Sequence, residues 1–274
     1  PEDATVMADL RPAAADRAVP GGGAAGDQGG VTLATQAGFD AERTAATRPA
    51  GGDSAAAGPS DGPAPGAVWG DYRFERELGR GGMGAVYLAR QRSLDRPVAI
   101  KVLPRHLGTN PDFRRRFVLE ARSVAQINSQ HVIQVYAAGE HEESLFFAME
   151  YVAGKDLSAR LKDGYRPTRE QALKLVTQAA HGLRAAGDLG IVHRDIKPSN
   201  MMVTEQGGLK IMDFGLVKMT KSEHGLTMTG TVMGTVTYFS PEQGRGDEID
   251  HRTDIYALGV VFYELLTGRL PFTG

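Results

Sequence analysis

A chain of 274 residues, 41% hydrophobic and 23% charged, is long enough for one or two domains with a sizeable core. Its formal net charge of -2, with no aromatic-plus-basic patch, gives no reason to expect a polyanion, so nucleic acid is not an expected partner. The lack of cysteine removes disulfides, cysteine nucleophiles and thiolate metal sites, and no run approaches the roughly 18 consecutive apolar residues of a membrane helix, so the cytoplasm is the expected location.

Residues 1–66 are dominated by Ala, Gly and Pro and carry little periodicity, which predicts a disordered low-complexity tail. Order is expected from residue 67. The stretch "VWGDYRFERELGRGGMGAVYLARQRSLDRPVAIKVL" reads as antiparallel strands broken by turns at Gly79–Gly84 and Ser93–Pro97. A helix should start at Asn110 and Pro111, with a stripe of Phe113, Phe117, Glu120, Val124 and Ile127 that places one carboxylate on its buried face. Strand-like segments follow around Val132–Tyr136 and Leu145–Tyr151, and Gly154 introduces helical periodicity. Thr168 and Gln171 form a capping box that opens a helix carrying Ala172, Val176, Ala179, Leu183 and Ala186 on one face. A last apolar helix is predicted over Asp254–Leu266, stopped by Gly268. A strand-rich half before a helix-rich half indicates an α+β fold in two lobes.

Within this frame several residues carry chemistry. "LGRGGMGAVY" sets Gly79, Gly81, Gly82 and Gly84 between two strands, where backbone N–H groups could approach phosphate oxygens, although a glycine-rich hairpin is also a plain turn. Lys101 lies in the apolar strand "PVAIKVL" and needs an anion there; Glu120 is the matching oddity on an apolar helical stripe, so an ion pair between the two would resolve both. In "HRDIKPSN", Asp195 and Asn200 share one tight loop with Lys197 between them. Asp213 of "KIMDFG" follows an apolar segment, an arrangement suited to holding Mg²⁺ through oxygen. A cation clamp, a lysine on phosphate and a carboxylate near a hydroxyl are the parts that phosphoryl transfer requires.

From about Tyr72 to Gly274 these motifs, in this order, resemble the eukaryotic-type protein serine/threonine kinases, and most closely their bacterial branch. The resemblance implies a bilobal protein-kinase-like fold, with an N-lobe and hinge over 67–152 and a C-lobe over 153–274. It implies ATP and Mg²⁺ (or Mn²⁺) as cofactors and proteins with Ser or Thr hydroxyls as substrates. It also implies that Leu78 belongs to the nucleotide site and that Gly79, Gly81, Gly82 and Gly84 cover the phosphates while Lys101, held by Glu120, contacts them. Adenine would lie between Val86 and Ala99 above and Met202 below, beside Met149, with its edge on the backbone of Glu150 and Val152. Asp195 would accept or orient the hydroxyl proton, Lys197 would meet the γ-phosphate, and Asn200 and Asp213 would ligate the metal.

The threonine-rich segment between Asp213 and Glu242 resembles an activation loop, which implies a role in signal transduction. Thr227 and Thr229 are its expected phosphosites, Arg194 the receiver of the phosphate, and Thr235 a contact of the catalytic aspartate and lysine; self-association for autophosphorylation in trans follows from the same picture. Asp254 should hold the backbone of the His193–Arg194 turn. Glu242 of "SPE" is expected to be a buried carboxylate lacking the arginine with which relatives pair it, a loss of about 3–5 kcal/mol. That expectation, Pro1 at the start and the end at Gly274 predict a chain trimmed at both ends, lacking its last helices and exposing apolar surface on the helix from Asp254. A sensor domain or membrane helix beyond Gly274 stays open. An alternative function is a nucleotide-binding pseudokinase or scaffold, inactive through the missing C-terminal part.

Overall fold

Short strand-forming segments separated by turns build the first half of the chain into a sheet. The computed structural model describes residues 4–9, 62–81, 84–214 and 236–272. Among them, β1 (Ala4–Asp9), β2 (Val68–Trp69), β3 (Tyr72–Gly81), β4 (Gly84–Gln91), β5 (Arg96–Val102), β6 (Val135–His141) and β7 (Ser144–Glu150) form one sheet in the order β1-β6-β7-β5-β4-β3-β2. Neighbouring strands are antiparallel throughout. One face buries Trp69, Phe74, Tyr87, Ile100 and Phe146; the other buries Leu145 and Phe147 against Phe113 and Phe117 of α2 (Pro111–Ala125), which follows the short α1 (Arg105–Gly108). The central β5 is therefore apolar on both sides, and Lys101 within it is only 6% exposed.

Within the expected tail, residues 4–9 form β1 on the open edge of β6, and the Gly66 N–H donates to the Phe74 carbonyl at 2.8 Å. Composition describes a segment's own burial and is blind to an unpaired strand edge elsewhere that offers it hydrogen bonds. The remainder of that tail lies outside the described residues. In α2, Asn110 caps the helix as predicted, accepting from the N–H groups of Asp112 and Phe113 at 2.9 and 3.1 Å. Its buried line, however, is Phe113, Phe117, Ala121 and Ala125, with Glu120 and Val124 half-buried on the flank. The two alanines carry little hydrophobic signal, yet their small side chains let the helix approach the sheet.

The second half is helical around a small sheet. β8 (Gly154–Asp156), β9 (Met201–Thr204) and β10 (Leu209–Ile211) pair antiparallel, and α3 (Leu157–Lys162), α4 (Arg169–Gly187), α5 (Pro241–Arg245) and α6 (His251–Thr267) are the α-helices described in this half. α4 opens on the predicted capping box. With α6 it closes a core that includes Leu157, Leu175, Ile196, Ile211 and Val261. The two halves are stitched together where Val132 bridges Ile211 in parallel, with Ile211 N–H on the His131 carbonyl at 2.8 Å and Ile133 N–H on the Ile211 carbonyl at 2.9 Å. That stitch fixes the exit of β10, and hence Asp213, beneath the sheet.

The end of the chain corrects one more expectation. α6 starts at His251, three residues before the predicted helix, on an Asp250 cap, so Asp254 lies inside its first turn, and Gly268 closes it at φ 70°. Ile255, Tyr263 and Leu266 are exposed on its outer face, as predicted. Glu242 is half-buried and accepts a hydrogen bond from Thr253 Oγ1 at 2.7 Å, which holds its carboxyl below the ordinary range. It is therefore not an orphaned buried charge. No helix among the described residues is long and apolar enough to cross a membrane.

Candidate active site

Between the sheet and the helical half lies a cleft of about 580 Å³. Leu78, Gly79, Gly81 and Gly84 form its roof, Val86, Ala99, Met149 and Met202 its apolar walls, and Glu150 and Val152 its back edge. Lys101, Asp195, Lys197, Asn200 and Asp213 all open into the same space. Residues more than a hundred positions apart in the chain thus share one cleft. Gly82 of the glycine run lies outside the described residues, as do Thr227, Thr229 and Thr235.

The glycines serve two distinct purposes. A Cβ on Gly79 or Gly81 would meet nothing within 4 Å, so these positions leave backbone open to a bound group. Gly84 sits at φ 111°, and a Cβ there would lie 2.0 Å from the Val102 carbonyl oxygen; its requirement comes from the close approach of β4 to β5. The apolar walls are a cluster of Ala99, Ile133 and Met149, bordered by Val86, Tyr151, Val152 and Met212. A flat slot of this kind suits a planar ring. Ile133, Tyr151, Asp156, Ser199 and Met212 also line the cleft and were not predicted; Asp156 was legible at most as the N-cap of α3, where it accepts from Ala159 N–H at 2.8 Å. The Glu150 carboxylate takes Lys210 Nζ at 2.9 Å and the Gln134 N–H at 3.3 Å, so that side chain braces the back edge.

The ion pair expected between Lys101 and Glu120 is not formed. Lys101 Nζ donates instead to Asp213 Oδ1 at 2.8 Å. A second, largely apolar cavity is lined by Glu120, Ala121, Val124, Phe147, Asp213 and Phe214. Because α2 buries Ala121 and Ala125 rather than Glu120, its carboxylate lies on the flank of the helix beside this space. A buried ammonium must be paired, and the nearest available carboxylate is that of Asp213.

The loop that carries Asp195 is held from several directions. Arg194 and Asp213 both have positive φ, 71° and 62°, a conformation that costs a non-glycine residue of order 1–3 kcal/mol and persists only when surroundings impose it. Asp254 supplies part of that: its Oδ2 and Oδ1 accept the backbone N–H groups of His193 and Arg194, each at 2.7 Å. Burial pushes the Asp254 carboxyl above its ordinary range, while His193 and these two donors pull in the opposite direction. The His193 ring lies 2.7 Å from the Met212 carbonyl through Nε2 and accepts Asp195 N–H through Nδ1 at 3.2 Å, which together require the proton on Nε2. Asn200 Nδ2 donates to the Asp195 carbonyl and carboxylate at 2.7 and 3.1 Å, and Lys197 Nζ meets Asp195 Oδ2 at 2.8 Å. Since the amide nitrogen of Asn200 is spent on Asp195, its oxygen is the group left to face a ligand. Arg194 is half-buried and its Nε has no hydrogen-bond partner among the described residues.

Residues 72–274 match the family model of the protein kinase domain. The chain is similar to the serine/threonine-protein kinase PknA of Corynebacterium glutamicum, 44% identical over 209 residues that cover 74% of this chain and 44% of that protein. It is similar to PknB of Mycobacterium leprae, 43% identical over 208 residues covering 74% of this chain and 33% of the relative. Among solved structures, the PknI kinase domain of Mycobacterium tuberculosis superposes with a TM-score of 0.63 and 30% identity, over 77% of this chain and 78% of that one. The chain spans less than half the length of the curated relatives it matches.

Proposed function

This chain belongs to the protein kinase family, and on that footing we propose that it transfers the γ-phosphate of ATP, with Mg²⁺, to serine and threonine hydroxyls of proteins. The observation that carries the reading is the convergence of Lys101, Asp195, Lys197, Asn200 and Asp213 on one cleft under the open backbone of Gly79 and Gly81. The Asn200 amide oxygen and the Asp213 carboxylate are hard oxygen donors of the kind Mg²⁺ accepts alongside its waters and phosphate oxygens. When bound, the metal supplies charge neutralisation between the phosphates. Asp195 orients the incoming hydroxyl and accepts its proton, and Lys197, already 2.8 Å from Asp195, compensates charge developing on the transferred group. Lys101 serves the phosphates once it leaves Asp213.

Labelled γ-phosphate should pass from ATP to a generic basic protein and to the chain itself, and chelation of Mg²⁺ should abolish the transfer. ATP binding with no transfer under any condition would instead select a nucleotide-binding scaffold. The same reading assigns Thr227 and Thr229 to autophosphorylation between copies, with Arg194 as the charge that receives the phosphate; its orphaned, half-buried Nε supports that role. The expected result is that Thr227→Ala/Thr229→Ala protein, treated with ATP beforehand, phosphorylates substrate at least several-fold more slowly than the parent. Equal rates would remove the switch. The same reading, through the family resemblance alone, gives Thr235 the role of a contact of Asp195 and Lys197.

A further inference from the structure

The peptide unit between Arg194 and Asp195 is held at both ends, and one of the two holders lies outside the catalytic loop. Its N–H, that of Asp195, donates to His193 Nδ1 at 3.2 Å. Its carbonyl, that of Arg194, accepts a hydrogen bond from Gln243 Nε2 at 2.8 Å. Gln243 belongs to α5, 49 residues away in the chain. The same amide does a second job there: its Oε1 accepts the Ser240 N–H at 3.0 Å and completes the capping box that starts α5. One side chain therefore ties the start of α5, immediately after the threonine-rich segment, to the peptide that carries Asp195.

The tie matters because Arg194 is at φ 71°. Relaxation of that residue toward ordinary backbone would rotate the Arg194–Asp195 peptide and swing the Asp195 carboxylate away from Lys197 and Asn200. Asp254 restrains the preceding N–H, but the carbonyl side of Arg194 is restrained by Gln243. We propose that Gln243 is a positioning residue for the transfer reaction, acting through the Arg194 carbonyl to fix Asp195 and coupling the position of α5 to the catalytic loop. The proposal rests on the kinase reading only for the reaction that it affects.

Gln243→Glu separates the two jobs. One carboxylate oxygen can still accept from Ser240 N–H, whereas the other replaces a donor with an oxygen that opposes the Arg194 carbonyl. The expected result is a fall of about 10-fold or more in kcat with the KM for ATP within twofold of the parent and unfolding within a few degrees, because the adenine and phosphate contacts lie elsewhere. Ser240→Ala is the converse control: it removes the cap hydroxyl, lowers the unfolding temperature, and keeps kcat per ATP-binding site. Hydrogen exchange supplies a readout independent of turnover, with faster exchange of the 192–200 segment expected in Gln243→Glu and unchanged protection of α5. A Gln243→Glu protein with parental kcat and parental protection of 192–200 overturns the proposal. If the parent transfers no phosphate, the kinase reading fails by itself, and the exchange arm still decides whether Gln243 holds the loop.

Discussion

Replacing Asp195 by asparagine is expected to lower kcat by about 10²–10⁴-fold, the range that a positioned general base contributes. The substitution keeps volume and planarity, so the 7%-exposed site should remain packed. It removes the only charge on the group that Lys197 meets at 2.8 Å and Asn200 at 3.1 Å. The adenine walls and Lys101 are untouched, so the dissociation constant for ATP should stay within a few-fold of the parent. Steady-state transfer and nucleotide titration on the same preparation separate the two quantities. Parental turnover in Asp195→Asn would remove this carboxylate from the mechanism, whereas a parallel loss of ATP binding would make it structural.

Asp254→Ala should act through stability first and activity with it. The carboxylate accepts two backbone N–H groups at 2.7 Å, and the residue is 3% exposed, so its loss orphans both donors away from water. At about 1–3 kcal/mol for each orphaned donor, the expected destabilisation is about 2–6 kcal/mol, readable as a shifted urea midpoint. The left-handed Arg194 loses its restraint at the same time, so turnover should fall even in the fraction that remains folded. Asp254→Asn keeps one acceptor oxygen and should fall between parent and alanine in both measurements. An alanine variant with parental stability would mean that the His193–Arg194 turn is self-supporting.

These two residues show how differently positions of one site announce themselves. Asp195, Lys197 and Asn200 lie within six residues of one another, and a tight turn leaves few ways to arrange them. Their grouping was therefore legible before any fold was known. Asp254 was legible as a polar residue heading an apolar helix and was expected to support a distant turn. The structure gives the cap to Asp250 and the support to Asp254. Gln243 carried no signal at all, since a glutamine at the third position of a short helix satisfies a capping box and needs no other explanation.

Local chemistry along the chain sets which groups carry charge, where the chain turns, and that a lysine in an apolar strand requires a carboxylate. Strand alternation, the caps at Asn110 and Thr168 and the stop at Gly268 follow from local chemistry that neighbours in the chain supply. Tertiary structure alone decided which carboxylate Lys101 meets. Asp213 is 112 residues away, and its position depends on the stitch of β10 to the segment before β6. Glu120 is closer in sequence, yet its direction is set by which line of α2 side chains packs on the sheet, and the small residues Ala121 and Ala125 take that line. Neither fact is a property of a local stretch, because packing of a helix face is settled by total contact with its partner rather than by the pattern of the helix taken alone. The same reasoning holds for β1, whose place on the β6 edge depends on an unpaired ladder that its own composition does not contain.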